Sequence, residues 1–249
     1  KIEGILKTIQ DGTIIADAER IAEKMLRFPI LGEKIEGTWN LVLCNEFHMT
    51  NDSHLFKTEP APGRLPLFTG KMFYQFALTK EHSGYWIDRK EGRLALLGRE
   101  KDNAQSLDYE GYRWVHRRIA SNTNERTFIA TIAPKMVFTE VNSTTLKVSE
   151  SGITNSEMIL LCAFTNSFVL DWMLRQKVTT TLNMFYIYQL PVPRPTEKDI
   201  DFIPITQRAA RLICTTPEFD DLAREVGLGS HKNGVTNEVE RNRIRAELD

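Results

Sequence analysis

The sequence predicts an α+β fold, a mixed β-sheet body with packed helices and a helical C-terminal segment. Tyr112 to Ile119 alternates, with Tyr112, Trp114 and His116 on one face and Arg113, Val115 and Arg117 on the other, which is the period of a strand. Residues 156–177 carry the strongest helical pattern in the chain. From about Glu197 onward the spacing is helical again.

In chain order, Ile14 to Phe28 places Ile15, Ala18, Ile21, Ala22 and Met25 on one side of a helix that Pro29 ends. Thr38 to Phe47 is apolar and aromatic and reads as a strand. Residues 50–64 are loop-like, punctuated by Asn51, Asp52, Pro60, Pro62 and Gly63. Leu67 to Phe76 and Tyr85 to Asp88 read as strands, and residues 89–107 as a charged surface helix followed by a loop. Arg126 to Ala133 is a further strand, joined to Tyr112–Ile119 through the turn-forming Ser121, Asn122, Thr123 and Asn124, so a hairpin is predicted. Thr179 to Thr181 end the long helix, Met184 to Tyr188 reads as a strand, and Pro191 to Pro195 as an extended connector. The expected organisation is a tail over residues 1–36, a body over 37–195 and a helical segment over 196–249. A helix still periodic at Asp249 predicts a longer parent chain.

Composition narrows the function classes. At 249 residues, 41% apolar and 26% charged, the chain can bury a substantial core. A net charge of −1 means that a nucleic-acid partner requires a locally basic face. Cys44, Cys162 and Cys214 are odd in number, far apart and without zinc spacing, which suits a reducing, cytoplasmic setting. The longest apolar stretch, Met158 to Leu174, is interrupted by Asn166, Ser167 and Asp171, as in a core helix rather than a membrane span.

Catalytic patterns fail in turn. Adenine methylation needs a Gly-rich turn after a strand and a Pro-Pro-aromatic motif, but the chain has no Pro-Pro dipeptide. Gly227 and Gly229 follow a helical stretch and read as its C-cap. Glu33-Lys34 and Glu100-Lys101 lack the Glu-x-Lys spacing of a magnesium nuclease, and His48, Asp52 and His54 match no standard metal site. No catalytic residue, metal or cofactor is therefore assigned within these residues.

Binding is a different matter. Lys and Arg neutralise phosphates, and polar loops read base edges. The candidate phosphate ligands are Lys71, which follows Gly70, with Arg113, Arg117, Arg118, Arg126, Arg175 and Lys177. For Arg113 or Arg117 the plain alternative is a structural pair with Glu125, Asp108 or Asp171, and for Arg126 it is holding the hairpin turn. The candidate base readers are His54 and Lys57, Asn103 and Gln105, and Asn183, each in a polar loop. Trp172 is expected in the core, while Tyr74 and Tyr186 suit either core or surface.

Four stretches in this order, LPLFTGKMFYQF (Leu65 to Phe76), YRWVHRRIASNTNERT (Tyr112 to Thr127), TNSFVLDWMLRQKV (Thr165 to Val178) and LNMFYIYQLPVPR (Leu182 to Arg194), mix buried-looking patterns with fixed Arg, Lys and Asn. The combination resembles the C-terminal target-recognition region of type IIG restriction-modification enzymes and related adenine-specific DNA methyltransferases, the TaqI-like specificity domain. The similarity covers about Trp39 to Arg194, and Thr69 departs from it at a position that is often acidic in the family. The resemblance implies a double-stranded DNA recognition module of a restriction-modification or phage-defence enzyme, non-catalytic by itself. An upstream methyltransferase domain of the same parent would be its partner, residues 1–36 the link, and S-adenosylmethionine, with Mg2+ where a nuclease is present, the parent's cofactor. No membrane or small-molecule substrate is implied. The alternative is a protein-interaction module whose apolar helix over 156–177 docks a partner without DNA.

Overall fold

The computed structural model describes residues 20–121 and 123–249. Residues 14–19 of the first expected helix, much of the expected tail, and Asn122 of the hairpin turn lie outside the described residues; residues 20–25 are helical. The strands are β1 (Leu43–Cys44), β2 (Phe56–Lys57), β3 (Arg64–Phe68), β4 (Phe73–Tyr74), β5 (Ala77–Leu78), β6 (Trp86–Asp88), β7 (Arg113–Arg117), β8 (Ala130–Ala133), β9 (Phe138–Thr139) and β10 (Ser143–Leu146). The labelled helices are α1 (Arg89–Leu97), α2 (Val148–Ser151), α3 (Asn155–Thr165), α4 (Phe168–Arg175), α5 (Met184–Tyr188), α6 (Phe202–Ile213), α7 (Asp220–Glu225) and α8 (Glu238–Leu248). The fold is α+β.

One sheet has the order β1-β10-β7-β8, antiparallel throughout. β7 and β8, at one end of that order, form the expected hairpin, in the register Arg113↔Ala133 and Val115↔Thr131. A second sheet, β2-β6-β3-β9, carries a parallel pair between β3 and β9. β4 and β5 pair separately. The main core joins Trp114, Ala130 and Ile132 of the hairpin, Met158, Ile159 and Cys162 of α3, and Ala209 and Ile213 of α6, with α3 in contact with both the hairpin and α6. This cluster runs without a break from Leu31 to Ile244, so the C-terminal helices share it with the sheet. Phe47, Leu67, Ile87, Tyr109 and Phe138 make a smaller core beneath the second sheet. Gly92 lets α1 seat there, since a Cβ on it would meet the Phe138 ring at 2.5 Å.

Several expected elements take another form. The long helix is two helices, α3 and α4, bent by 59° across Asn166 and Ser167. Thr154 and Glu157 cap the first in a capping box, and the Ser167 side chain accepts from Leu170 N–H to start the second. The first half of the apolar stretch proposed to dock a protein partner is taken up by the core, since Met158 to Ala163 are all buried, whereas Phe168 and Trp172 in its second half are exposed. Among the described residues no single helix is long and apolar enough to cross a membrane. Trp172 is not a core residue: it is 37% exposed on the outer side of α4. Met184–Tyr188 is helical rather than extended, because Ile187 and Leu190 must both be buried and lie three residues apart. Over 38–47 the chain buries Trp39, Leu41 and Leu43 in extended alternation, but only Leu43–Cys44 pairs in the sheet. After β3, Gly70–Met72 is a 3-10 turn instead of a continued strand.

Polar side chains complete backbone pairing where strands end. Asn166 Oδ1 accepts from Ala130 N–H at 3.1 Å, and its Nδ2 donates to Ala130 O at 2.9 Å. Asp171 Oδ1 accepts from the N–H groups of Thr127 and Phe128 at 2.7 and 2.6 Å. Between the sheets, the fully buried Arg113 donates to Glu46 Oε1 and to the carbonyl of Val137. Glu46 Oε2 accepts from Thr139 N–H and its hydroxyl at 2.7 and 2.9 Å. This network ties β7 of one sheet to β9 of the other. Arg113→Met is expected to cost about 3–5 kcal/mol, because it strands a buried carboxylate. Urea denaturation measures this, and a loss under about 1 kcal/mol would remove the pair's structural role.

Candidate functional site

Both faces of β7 are covered, so its middle residues are interior and its last residues emerge at a rim. There the end of β3, the end of β7 and the link between β9 and β10 enclose an open cavity of about 580 Å³. Thr69, Gly70 and Lys71 form one wall, Arg117 and Ile119 another, and Glu140 and Asn142 a third. Met49, Ser83, Tyr85 and Asn124 complete the lining.

Arg117 is held here by neutral groups. It donates to the carbonyl of Phe73, and its guanidinium carbon lies 5.7 and 5.6 Å from the ring centroids of Phe73 and Tyr74. Partial burial lowers its pKa from the ordinary value, with Tyr74 opposing the shift. Among the described residues it has no carboxylate within ion-pair distance. Lys71 is exposed at the same cavity and also lacks an ion pair among the described residues. A Cβ at Gly70 would meet Asn142 O and Arg117 Cγ at 3.5 and 3.6 Å, ordinary contacts, so internal packing does not require a glycine at this position. Arg118 is half-buried beside the cavity, with its N–H donated to Asn142 O at 2.8 Å. Residues 180–182 run alongside 118–120, through Leu182 N–H to Arg118 O at 2.7 Å and Ala120 N–H to Thr180 O at 3.0 Å. Lys177 is exposed near this strip, its ammonium 3.5 Å from Gln189 Oε1.

The remaining candidate cations are occupied elsewhere, and Arg113, wholly enclosed with Glu46, cannot reach a phosphate. Arg126 is 7% exposed, stacked at 3.5 Å on the Phe168 ring and 3.6 Å from the Asp249 carboxylate. Arg175 pairs with Asp171 at 2.7 Å and donates to the carbonyls of Asn124 and Glu125, so it closes the hairpin turn. None of His54, Lys57, Asn103, Gln105 or Asn183 lines the cavity among the described residues. Lys57 pairs with Glu91 at 3.5 Å, and Gln105 braces its own loop by accepting from Asn103 N–H at 2.7 Å. His48 N–H donates to Asp52 Oδ2 at 2.7 Å, a loop cap. Among the described residues no three His, Cys, Asp or Glu side chains converge as a metal site.

Two carboxylates at the sheet junction escaped the sequence reading, Glu46 and Glu140. Both are acids set within apolar runs, and that isolation was the available signal. Glu140 is 3% exposed, and its Oε2 accepts from Asn142 N–H at 2.9 Å and Asn142 Nδ2 at 3.0 Å. Burial raises its pKa, opposed by the hydrogen bonds from Asn142 and the Gly70 amide and by the charge of Arg118.

No family model matches the sequence, and no curated protein matches it. Among solved structures the chain is similar to the type IIG restriction endonuclease BpuSI, with 15% identity over 100% of this chain and 34% of that one, at a TM-score of 0.49. It is also similar to the HsdS subunit from Thermoanaerobacter tengcongensis, with 12% identity over 99% of this chain and 55% of that one, at a TM-score of 0.35. The chain thus spans 34% of the length of the first and 55% of the second.

Beside Arg117 on β7 lies His116. Its ring is fully buried, with Trp114 and Phe128 at centroid distances of 5.2 and 5.9 Å. Nδ1 is 3.0 Å from Arg117 O, and a carbonyl can only accept, so Nδ1 carries the proton. Nε2 has no partner. Burial pushes the pKa down to about 4. Because the folded pKa lies below the unfolded value, stability is full above about pH 6.5 and is lost as pH falls toward 4. His116→Phe is expected to flatten this acid dependence, on the order of 3 kcal/mol, in urea midpoints measured from pH 7 to 4. An unchanged slope would exclude the neutral buried imidazole.

Proposed function

We propose that this chain grips double-stranded DNA at the rim cavity, as the target-recognition module of a larger adenine-specific restriction-modification or phage-defence methyltransferase. Lys71 and Arg117 are the central phosphate ligands, and Arg118 and Lys177 extend the basic strip along the rim. Methyl transfer, S-adenosylmethionine and any Mg2+-dependent cleavage belong to the parent's other domains, and the setting is the cytoplasm.

One observation carries this reading: Arg117 and Lys71 face one open cavity with their charges unspent, whereas Arg113, Arg126 and Arg175 are paired to carboxylates. A cation fixed by a carbonyl and two aromatic rings keeps its full attraction for an anion. The order of the four sequence stretches supports the same reading, since Gly70-Lys71 and Arg117 fall within two of them.

The test is the affinity for a duplex titrated across salt. Lys71→Ala and Arg117→Ala are each expected to reduce the log–log slope by about one, nearly equally on all sequences. A slope near zero for the unaltered protein would remove DNA as the ligand.

A further inference from the structure

The cavity that presents two unpaired cations also presents an anion. Glu140 is nearly buried, lines the same cavity and forms no ion pair among the described residues. A carboxylate at this position repels a phosphate, so the backbone of a duplex has no reason to lie against it. A bound duplex would further desolvate the carboxylate, at a cost unless the duplex supplies a donor. On the major-groove edge the available donors are the exocyclic amino groups, N4 of cytosine and N6 of adenine. Guanine O6 and thymine O4 would set acceptor against acceptor.

We propose that Glu140 is a specificity-determining residue that accepts a hydrogen bond from the amino group of one cytosine or adenine and rejects a keto base at that position. The assignment rests on the DNA-binding reading above. Asn142 acts through Glu140 as a positioning residue: its N–H and Nδ2 both hold Oε2, and with the Gly70 amide they fix the carboxylate, whose two oxygens offer about four acceptor sites and so can take one more donor. Glu140 thereby does what His54, Lys57, Asn103, Gln105 and Asn183 are not placed to do, because it stands beside the cations instead of away from them. Discrimination here is largely by penalty, since a wrong base leaves a desolvated charge without a partner.

The experiment is selection of duplexes from a randomised library by the full chain and by Glu140→Gln, with thermal unfolding as a control for integrity. The unaltered protein is expected to select cytosine or adenine at one position. Glu140→Gln, which can donate as well as accept, is expected to relax that position about tenfold to hundredfold and to leave the others unchanged. Should the variant fail to fold, the unaltered protein is titrated with duplexes in which the selected base is replaced by an analogue lacking its amino group. A loss of about tenfold or more is expected from that single deletion. Preference unchanged at every position, an affinity change equal on all sequences, or indifference to the missing amino group would overturn the assignment to Glu140 while leaving the DNA reading intact. Absence of duplex binding by the unaltered protein would overturn both, with the DNA reading failing first.

Discussion

The buried pair between Arg113 and Glu46 is the interaction on which the site geometry depends. Arg113 belongs to β7 of the larger sheet, while Glu46 holds the backbone and hydroxyl of Thr139 in β9 of the smaller one. Both charges are spent internally, so the pair contributes nothing to an external ligand. Its effect is to fix how the ends of β3 and β7 approach each other. Those ends supply Gly70, Lys71 and Arg117, so an ion pair in the interior sets the spacing of the cations at the rim.

What each cation does follows from the partner that folding gives it. Arg175 meets Asp171 one helical turn away and is absorbed into closing a turn. Arg126 meets an aromatic face and a carboxylate and is almost wholly covered. Arg117 meets a carbonyl and two rings, so it is oriented without being neutralised. A chain of net charge −1 can in this way present unpaired cations at one rim, with Glu140 as the acid in the same cavity.

Features governed by local periodicity were legible in the sequence. The hairpin of β7 and β8 follows from alternation and turn chemistry, and α3 from its capping box and apolar run. Features settled by tertiary context were not. The aromatic run Met184–Tyr188 has the composition of a strand, yet burying Ile187 and Leu190 together required a helix. Trp172 lies on the outer side of α4 because the bend at Asn166 and Ser167 turns that helix relative to α3. Arg113 and Arg117 are equivalent by strand period; the sequence does not reveal that both faces of β7 are covered and that only its end emerges. Gln105, chosen as a reader, braces its own loop, whereas Glu140 stands in a stretch that no motif or turn pattern singled out.

Asn166 has an effect beyond the bend it occupies. β8 is an outer member of its sheet, the kind of border that invites another polypeptide to add itself as the next ribbon. The Asn166 amide occupies both the donor and the acceptor of Ala130, imitating a one-residue neighbour. At Ala130 that border is closed from within, by the Asn166 amide together with the Phe76 N–H, which donates to the same carbonyl at 3.1 Å, so a further polypeptide finds no free partner at that residue.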